Sequence, residues 1–377
     1  MFLKGSGMSA FDVEQRPSIE RISECVEEAL DTSDLGMEQI DAIFISNSEV
    51  GTNGERQRHA SPMISTLFQK RVPIVNVPAG CGGGGVALWN AVQYAREGSV
   101  KNVLVIGYDV LVANTQERVT DEMLMGGERI YEQAEGMIFP AQNALVAQQY
   151  MMQYGATEDD FALVALKNHE NAFLNPKARF FQKKVTMEMI QRSPMVASPL
   201  RLFDCSIPSN GAAAVVISSE RSDIEIAASA MSTSNLSSFE REQMTSWSAN
   251  KCAAKIAYGQ AQIFPSDVSI AEVHDAFTPV ELMAYEDLGF CERGKGMEMI
   301  RNKETLLSGR LPVNSSGGLK AKGHPISATG ISQIHELILQ IRGQAGKRQV
   351  GNITNALAHN IGGAGSSVAV HILRKAG

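Results

Sequence analysis

Cys81 stands in the stretch Val75-Asn-Val-Pro-Ala-Gly-Cys-Gly-Gly-Gly-Gly-Val-Ala-Leu-Trp-Asn-Ala91, a thiol followed directly by four glycines. The apolar segment Ile74 to Val77 predicts a buried strand, and Pro78 and Gly80 break it. From Val86 onward (Val86, Ala87, Leu88, Ala91, Val92) the residues suit a helix packed on a sheet. Cys81 is therefore expected in a strand-to-helix turn. Glycines wall nothing off from the sulfur, and the free N–H groups of a helix N-terminus favour negative charge, so a lowered thiol pKa is expected. The same residues also suit a phosphate-cradling glycine loop with an incidental cysteine, or a buried inert thiol.

Three other positions could work with that thiol. His324 lies between Gly323 and Pro325, His274 ends an apolar run, and Asn360 stands beside Gly362 and Gly363. Singly, each has a bland reading: a satisfied strand histidine, a helix-start residue holding a loop, a tight turn where Asn and Gly are common. Together they describe one reaction. A thiolate attacks an acyl thioester and forms an acyl-cysteine. Backbone N–H groups at Cys81 and in the glycine turn near Gly362 would supply an oxyanion hole. His324 would take the thiol proton and hold the incoming carbonyl, and His274 would position water or a second carbonyl oxygen. Metal chemistry fits less well, because apart from Asp275 no carboxylate or second histidine lies at ligand spacing beside either histidine. His59, His169, His335, His359 and His371 are assigned structural places. Cys25 and Cys252 fall on apolar helical faces and are expected in the core, leaving Cys81, Cys205 and Cys291 as thiols with chemical potential.

The elements that must position these groups come in two matching sets. Residues 18–30 put Ile19, Ile22, Val26 and Leu30 on one helical face with Ser18 as N-cap, and Ala42-Ile-Phe-Ile45 and 101–108 read as buried strands. In the second half a helix around Ala249–Ala257 precedes the strand Ala271–Phe277, mirroring the helix and strand of the first half. Val313-Asn314 leads through glycines to Gly323-His324 and a helix, as Val75-Asn76 leads to Gly80-Cys81. Val350–Leu357 and Ser366–Leu373 read as two strands joined by the glycine turn 361–365; 101–108 and Ala212–Ser218 are their counterparts. Helices alternating with wholly apolar strands predict a parallel sheet covered on both faces. The halves are drawn at 1–222 and 223–377, with an insertion over about 110–210 in the first. That insertion holds Met123, Met125, Met137, Met151, Met152, Met187, Met189 and Met195, and it is expected to be a lid with an adaptable apolar surface. Duplicated halves bring their equivalent loops to a shared interface, so Cys81 and His324 are expected to face one another, with His274 and the turn 359–365 nearby.

The 377 residues are 44% hydrophobic and 20% charged, which is a globular composition with material for two domains. A formal net charge of −7 gives no general affinity for nucleic acid or an anionic membrane. Local basic spots at Lys177/Arg179/Lys183/Lys184 and Lys320/Lys322 are candidate holders of a phosphorylated small molecule. Met1-Phe-Leu-Lys-Gly-Ser-Gly lacks a secretory pattern, and no apolar run reaches membrane-spanning length. Five cysteines without CxxC spacing predict reduced thiols, a cytoplasmic location and no structural zinc.

Five blocks together carry a family resemblance: Ala79-Gly-Cys-Gly-Gly-Gly-Gly85, His274-Asp-Ala-Phe277, Asn314-Ser-Ser-Gly-Gly318, Gly323-His-Pro-Ile-Ser-Ala-Thr-Gly330 and Asn360-Ile-Gly-Gly-Ala-Gly365. In order and context they resemble the thiolase superfamily over essentially the whole chain. The likeness is strongest to the sterol-carrier-protein-type and archaeal acetoacetyl-CoA thiolases, which share His-Asp-x-Phe. The resemblance implies an α/β thiolase fold of five layers, αβαβα. It implies an acyl-CoA C-acyltransferase with a coenzyme A thioester as substrate and no permanently bound cofactor. Cys81 would be the acylated nucleophile, His324 its activating partner and His274 the oxyanion donor for the second acyl group. Gly362 N–H would join that of Cys81, while Gly363, Ser327 and Phe277 would line the substrate site. The family further implies a homodimer or tetramer, and archaeal relatives work with a small zinc-ribbon/OB-fold protein and a hydroxymethylglutaryl-CoA synthase.

The departures bear on the reaction. Many thiolases carry a second cysteine, the acid/base of the carbon–carbon step, where this chain has Asn360; sterol-carrier-type relatives often carry it where this chain has Ala276. His274 and His324 are then the available bases. Ser327 replaces a usual glycine and Ser315 a common proline, both where the pocket is expected to be tight. Making or cleaving a 3-oxoacyl-CoA through acyl-Cys81 is the leading reading. A retro-aldol lyase acting on a CoA thioester and a catalytically weak subunit of a thiolase/OB-fold complex are the alternatives.

Overall fold

The computed structural model describes residues 1–48, 55, 57–112, 120, 121 and 123–377. The first half begins with β1 (Phe2–Met8), α1 (Ser18–Ser33), β2 (Ala42–Ser46), α2 (Ala60–Phe68), β3 (Ile74–Asn76), α3 (Gly83–Arg96) and β4 (Asn102–Val110). The insertion follows as α4 (Phe139–Tyr154), α5 (Glu158–Phe173), α6 (Met187–Gln191) and the hairpin β5 (Met195–Ala197) and β6 (Leu200–Arg201). β7 (Asn210–Ser218) completes the first half. The second half comprises β8 (Ile224–Thr233), α7 (Ser248–Ala261), β9 (Ile270–Glu272), α8 (Thr278–Asp287), α9 (Gly296–Arg301), α10 (Thr329–Ile341), β10 (Asn355–Gly362) and β11 (Ser367–Lys375).

The predicted duplication is visible strand by strand. One hydrogen-bonded sheet runs β3-β2-β4-β7-β1-β8-β11-β10-β9. Its midpoint is a short antiparallel contact, Phe2↔Glu225 and Leu3↔Ile224, which joins the two half-sheets edge to edge. Outward from that contact the first half reads β1-β7-β4-β2-β3 and the second β8-β11-β10-β9. Val313 bridges Ala271 in parallel where β3 pairs with β2, so it supplies the fifth position in outline. The expectation of a parallel sheet needs correction. β7 and β11 are antiparallel to both neighbours. β10 turns directly into β11, and a tight turn can only make antiparallel neighbours.

Alternation along each strand sorts the sheet's two faces. Leu104 and Ile106 of β4 pack with Ile22, Cys25 and Val26 of α1 and Ile64 of α2. Val103 and Val105 point the other way, toward Leu88 and Val92 of α3 and Ile334 and Leu337 of α10, which also meet Ala356 and Ala358 of β10. Leu357 and Val370 face α7 and α8 on the far side. The layers are therefore α1/α2, half-sheet, α3/α10, half-sheet, α7/α8. Both faces of both half-sheets are covered, as near-continuous apolar strands require.

Several local expectations are displaced. Ser18 is the first residue of α1 rather than its cap, and its N–H and hydroxyl both donate to Glu55. Ile19 lies exposed, one helical step outside the Ile22/Cys25/Val26/Ala29 stripe. Cys252 is exposed, and Cys25 is buried. β3 is not a buried strand: it forms the sheet's edge, and Val75 is 43% exposed. β9 stops at Glu272, short of the predicted Phe277, because Val273 N–H turns to the Asn314 side chain (2.8 Å) instead of a neighbouring strand. β10 starts later and runs through Asn360 to Gly362, so the glycine turn is tighter than predicted.

The lid expected over about 110–210 includes 113–119 and 122, which lie outside the described residues. From Phe139 onward the insertion is a helical layer bolted to the second half. Lys167 of α5 pairs with the fully buried Glu281 of α8, and Asn168 donates to Asp275 (2.8 Å) and Glu281 (2.6 Å). Asn171 and Asn175 donate to the carbonyls of Asn314 and Ser316 (both 2.9 Å). Of its methionines, Met123 and Met125 reach the site described below, Met125 while also exposed to solvent, and Met152, Met189 and Met195 are solvent-exposed.

Candidate active site

The turn before α3 brings Cys81 to the end of the layer between the half-sheets. Gly80–Gly82 form a single 3₁₀ turn, and α3 starts at Gly83. The turn lies against β10 so closely that a Cβ on Gly82 would come within 2.7 Å of Gly362 N, and one on Gly362 within 2.4 Å of Ala79 O. Only glycine permits that approach of two backbones. Asn360 locks the same junction: its Nδ2 donates to the Cys81 carbonyl and its Oδ1 accepts from Gly85 N–H, each at 3.0 Å. One of the N–H groups expected to face the thiol is thus taken by Asn360, and Asn360 is buried behind the cysteine rather than among the cavity-lining residues.

Cys81, His274, Phe277, His324 and Gly363 line one cavity of about 270 Å³. A second chamber of about 510 Å³, lined by Pro78, Gly80, Gly362 and Ser366, shares Cys81, Phe139 and Gly363 with the first. The sulfur therefore lies where an inner apolar chamber meets an outer mouth. Ser327 and Ser315 do not line either chamber. Ser327 N–H donates to Asp109 (2.6 Å), and Ser315 Oγ donates to Glu272 and Glu336 (both 3.1 Å). The 3₁₀ turn Ile326–Ala328 ahead of α10 points Ser327 inward, so only Ile326 of that turn reaches the cavity.

The two histidine rings lie 5.7 Å apart, centroid to centroid, at 87°. Their hydrogen bonds fix opposite tautomers. Thr329 Oγ1 donates to the Pro325 carbonyl (3.1 Å), so it accepts from His324 Nδ1 (2.7 Å), and His324 Nε2 keeps a free lone pair. His274 Nδ1 instead accepts from Ile361 N–H (3.3 Å), which places the proton on Nε2. Burial drives both rings below the usual imidazole range, His324 to about 4 with Lys322 adding to the effect. Both are neutral at pH 7, one an acceptor and the other a donor.

The thiol behaves differently from its sequence expectation. Burial pushes Cys81 up to about 12, and the Asp109 carboxylate adds in the same direction. A helix terminus is worth about 0.3–1 kcal/mol, too little to offset desolvation of a buried thiolate. Cys81 therefore rests as a neutral thiol that needs a base. Asp109, at the end of β4, is itself raised to about 6 by burial and is held by Asn47, Ser48 and Ser327.

His274 and His324 are tied to one frame by Asp275. Its carboxylate accepts from Leu319 N–H (2.6 Å) and Lys320 N–H (3.3 Å), fixing the turn that leads into His324. Gly318, at φ +60°, lies so close that a Cβ would fall 2.2 Å from that carboxylate. Lys320 and Lys322 are buried, with Lys320 Nζ on the Phe203 carbonyl (2.7 Å), and Lys177 Nζ is tied to Met8 O and Glu28; these are not the open phosphate holders expected of them. Sequence reasoning missed Thr329, although it lies five residues after His324 in the quoted block. It also missed Asp109, Trp247 and Phe139, whose positions in the chain carry no motif. Among the described residues no three His, Cys, Asp or Glu side chains come together to hold a metal ion. No described helix is long and apolar enough to cross a membrane.

Comparison with known proteins agrees with this architecture. The thiolase N-terminal domain model matches residues 12–221 and the thiolase C-terminal domain-like model residues 229–375. This chain belongs to the thiolase family. Within it, an acetyl-CoA acetyltransferase of Methanothermobacter thermautotrophicus is 37% identical over 91% of each chain. Sterol carrier protein 2 of Bos taurus is 32% identical over 98% of this chain and 71% of its own. The solved Ltp2-ChsH2(DUF35) aldolase superimposes with a TM-score of 0.84 at 25% identity, covering 99% of this chain and 97% of its own.

Proposed function

We propose that the chain is a thiolase-type acyltransferase that makes or cleaves a 3-oxoacyl-CoA, of the acetoacetyl-CoA type, through acyl-Cys81. The observation that carries this reading is the pair of neutral histidines with opposite tautomers in the cavity that holds the thiol. His324 Nε2 takes the Cys81 proton as the sulfur attacks the thioester carbonyl. The coenzyme A thiolate leaves and collects that proton. His274 Nε2–H donates to the oxygen of the second acyl group, where charge develops when a carbon nucleophile forms. Backbone N–H groups of Cys81 and Gly362 serve the first oxyanion. The acetyl-CoA acetyltransferase names of the archaeal relatives support the same reaction class.

Incubation with acetyl-CoA followed by intact-mass and peptide mapping tests the reading. One acetyl group on Cys81, lost in Cys81→Ala, is expected; no acylation across a panel of acyl-CoA thioesters would refute it. The likeness to an aldolase makes carbon–carbon cleavage without an acyl-enzyme the competing outcome, and full turnover by Cys81→Ser would favour it. A cytoplasmic homodimer or tetramer belongs to the same proposal. Among the described residues nothing pairs with the outer side of β3, where Val75 is exposed, and this supports assembly through that edge. The DUF35 protein in the name of the aldolase supports a partner protein here too. Sedimentation of the chain alone and with coexpressed neighbours measures both.

A further inference from the structure

The carbon–carbon step needs a group that moves a proton at C2 of the second thioester. Among the described residues lining the inner chamber, the titratable side chains are Cys81, Cys205, His274 and His324; the outer chamber adds none. In the proposed reaction Cys81 carries the acyl group, His324, which lines the same chamber, serves as its base, and His274 commits its N–H to an oxygen. Cys205 is left over, and its position suits the task. It follows the β5–β6 hairpin, forms a ladder bridge with Phe277, and the next residue, Ser206, donates to the Ala276 carbonyl (2.8 Å). The backbone of Cys205 thus runs beside the segment that follows His274, Cys205 and Ala276 line the same chamber as that histidine, and the Cys205 S–H rests on the Arg201 carbonyl (3.6 Å). A carbonyl oxygen and its α-hydrogen sit on neighbouring atoms, so their protein partners must be neighbours as well.

We propose that Cys205 is the acid/base thiol of the carbon–carbon step. The assignment rests on the acyl-Cys81 reading. In the cleavage direction the Cys81 proton passes to His324, and the sulfur attacks C3 of the 3-oxoacyl-CoA. The C2–C3 bond breaks, its electron pair goes to C2, and the Cys205 S–H protonates that carbon to release acetyl-CoA. The Cys205 thiolate then takes the proton of incoming coenzyme A, whose thiolate attacks the acyl-cysteine. Cys81 leaves as thiolate and recovers its proton from His324. Burial keeps Cys205 protonated, up to about 11, while the buried Lys320 pulls the other way and favours the transient thiolate. That is the resting state an acid needs.

Solvent-deuterium exchange into the methyl group of acetyl-CoA reads the C2 proton transfer directly, and acetylation of Cys81 reads the other half-reaction. Cys205→Ala is expected to accept acetyl on Cys81 but to lose exchange by about 100-fold or more, with 3-oxoacyl-CoA cleavage falling in parallel. Cys205→Ser is expected to retain a small part; wild-type exchange is expected to rise with pH through the alkaline range, and that rise is expected to vanish in both variants. Wild-type exchange in a Cys205→Ala protein that still acetylates overturns this assignment alone. A wild-type enzyme that takes no acyl group overturns the acyl-cysteine reading and the assignment with it.

Discussion

The loops that carry Cys81 and His324 occupy equivalent places in the two halves, yet they are built from different materials. Each leaves a strand position through an Asn (Asn76, Asn314) and ends at a helix of the central layer, α3 or α10. In the first half that Asn is exposed. In the second, Asn314 is fully buried, donates to Glu281 (2.8 Å), and accepts from Val273 N–H and, through its carbonyl, from Asn171. The cause is the insertion. α5 docks on the second loop, and among the described residues β3 beside the first loop ends the sheet. A covered loop needs internal charge partners, which explains Glu281, Asp275, Lys320 and Lys322. The first loop, on which no helix of the insertion docks among the described residues, is built of small residues and one clamp, Asn360. Duplication supplied matching frames, and coverage separates them: among the described residues no helix of the insertion docks on the Cys81 loop, while α5 holds the loop that leads to His324 rigid.

Substitutions in the two loops test that division. Replacing Cys81 by Ala is expected to lower acyl transfer by about 10⁴-fold or more, measured as kcat/KM with acetyl-CoA. His324→Ala follows at about 10²–10⁴-fold. Thr329→Val, which releases the Nδ1 proton from its partner, is expected to cost about 10-fold in kcat with little change in KM, because the tautomer is no longer fixed. An unchanged rate in Thr329→Val would break the tautomer account.

Glycines should respond unequally. Gly318→Ala drives a methyl into the Asp275 carboxylate at positive φ, and a loss of about 3 kcal/mol or more in urea unfolding is expected. Asn360→Ala leaves the Cys81 carbonyl and Gly85 N–H without their partner, at about 1–3 kcal/mol. Gly80→Ala has the same sign of φ (+51°) but meets nothing within 4 Å, so about 1 kcal/mol is expected. Equal costs at Gly318 and Gly80 would mean that coverage is not what separates the loops.

Acid should also tell the halves apart. His324 is held down to about 4, so the folded state binds fewer protons than the unfolded one. Its contribution is present above pH 6.5 and is lost as pH falls toward about 4. Asp109, at the end of β4 in the first half, is raised to about 6. Its contribution is present below about 3.8 and is lost as pH rises through about 6. Across that window, His324→Asn is expected to flatten the loss of stability in acid and Asp109→Asn to steepen it. Urea midpoints at several pH values measure both slopes.

Much of the fold and part of the site are legible in the residues alone. The strand–turn–helix around Cys81, the repeat and the place of His324 follow from apolar periodicity and from Gly and Pro, which act over a few residues. A motif locates Asn360 but does not give its task, since its partner Gly85 is 275 positions away. Cys205 stands out as a free thiol, with nothing in its neighbourhood to bring it to His274. Ser327 is misplaced by its motif, because a motif position does not say which way the turn ahead of a helix points its side chains.

The sequence by itself determined the family blocks, the duplicated frame and the candidate nucleophile Cys81, because these depend on local geometry and on residue types that few other turns accept. Only the tertiary structure decided the proton states. Cys81 is neutral because burial outweighs a helix end, and His274 takes its tautomer from Ile361, 87 residues away. Desolvation and long-range hydrogen bonds arise when distant segments close on one another, and they set which atom gives a proton and which one takes it.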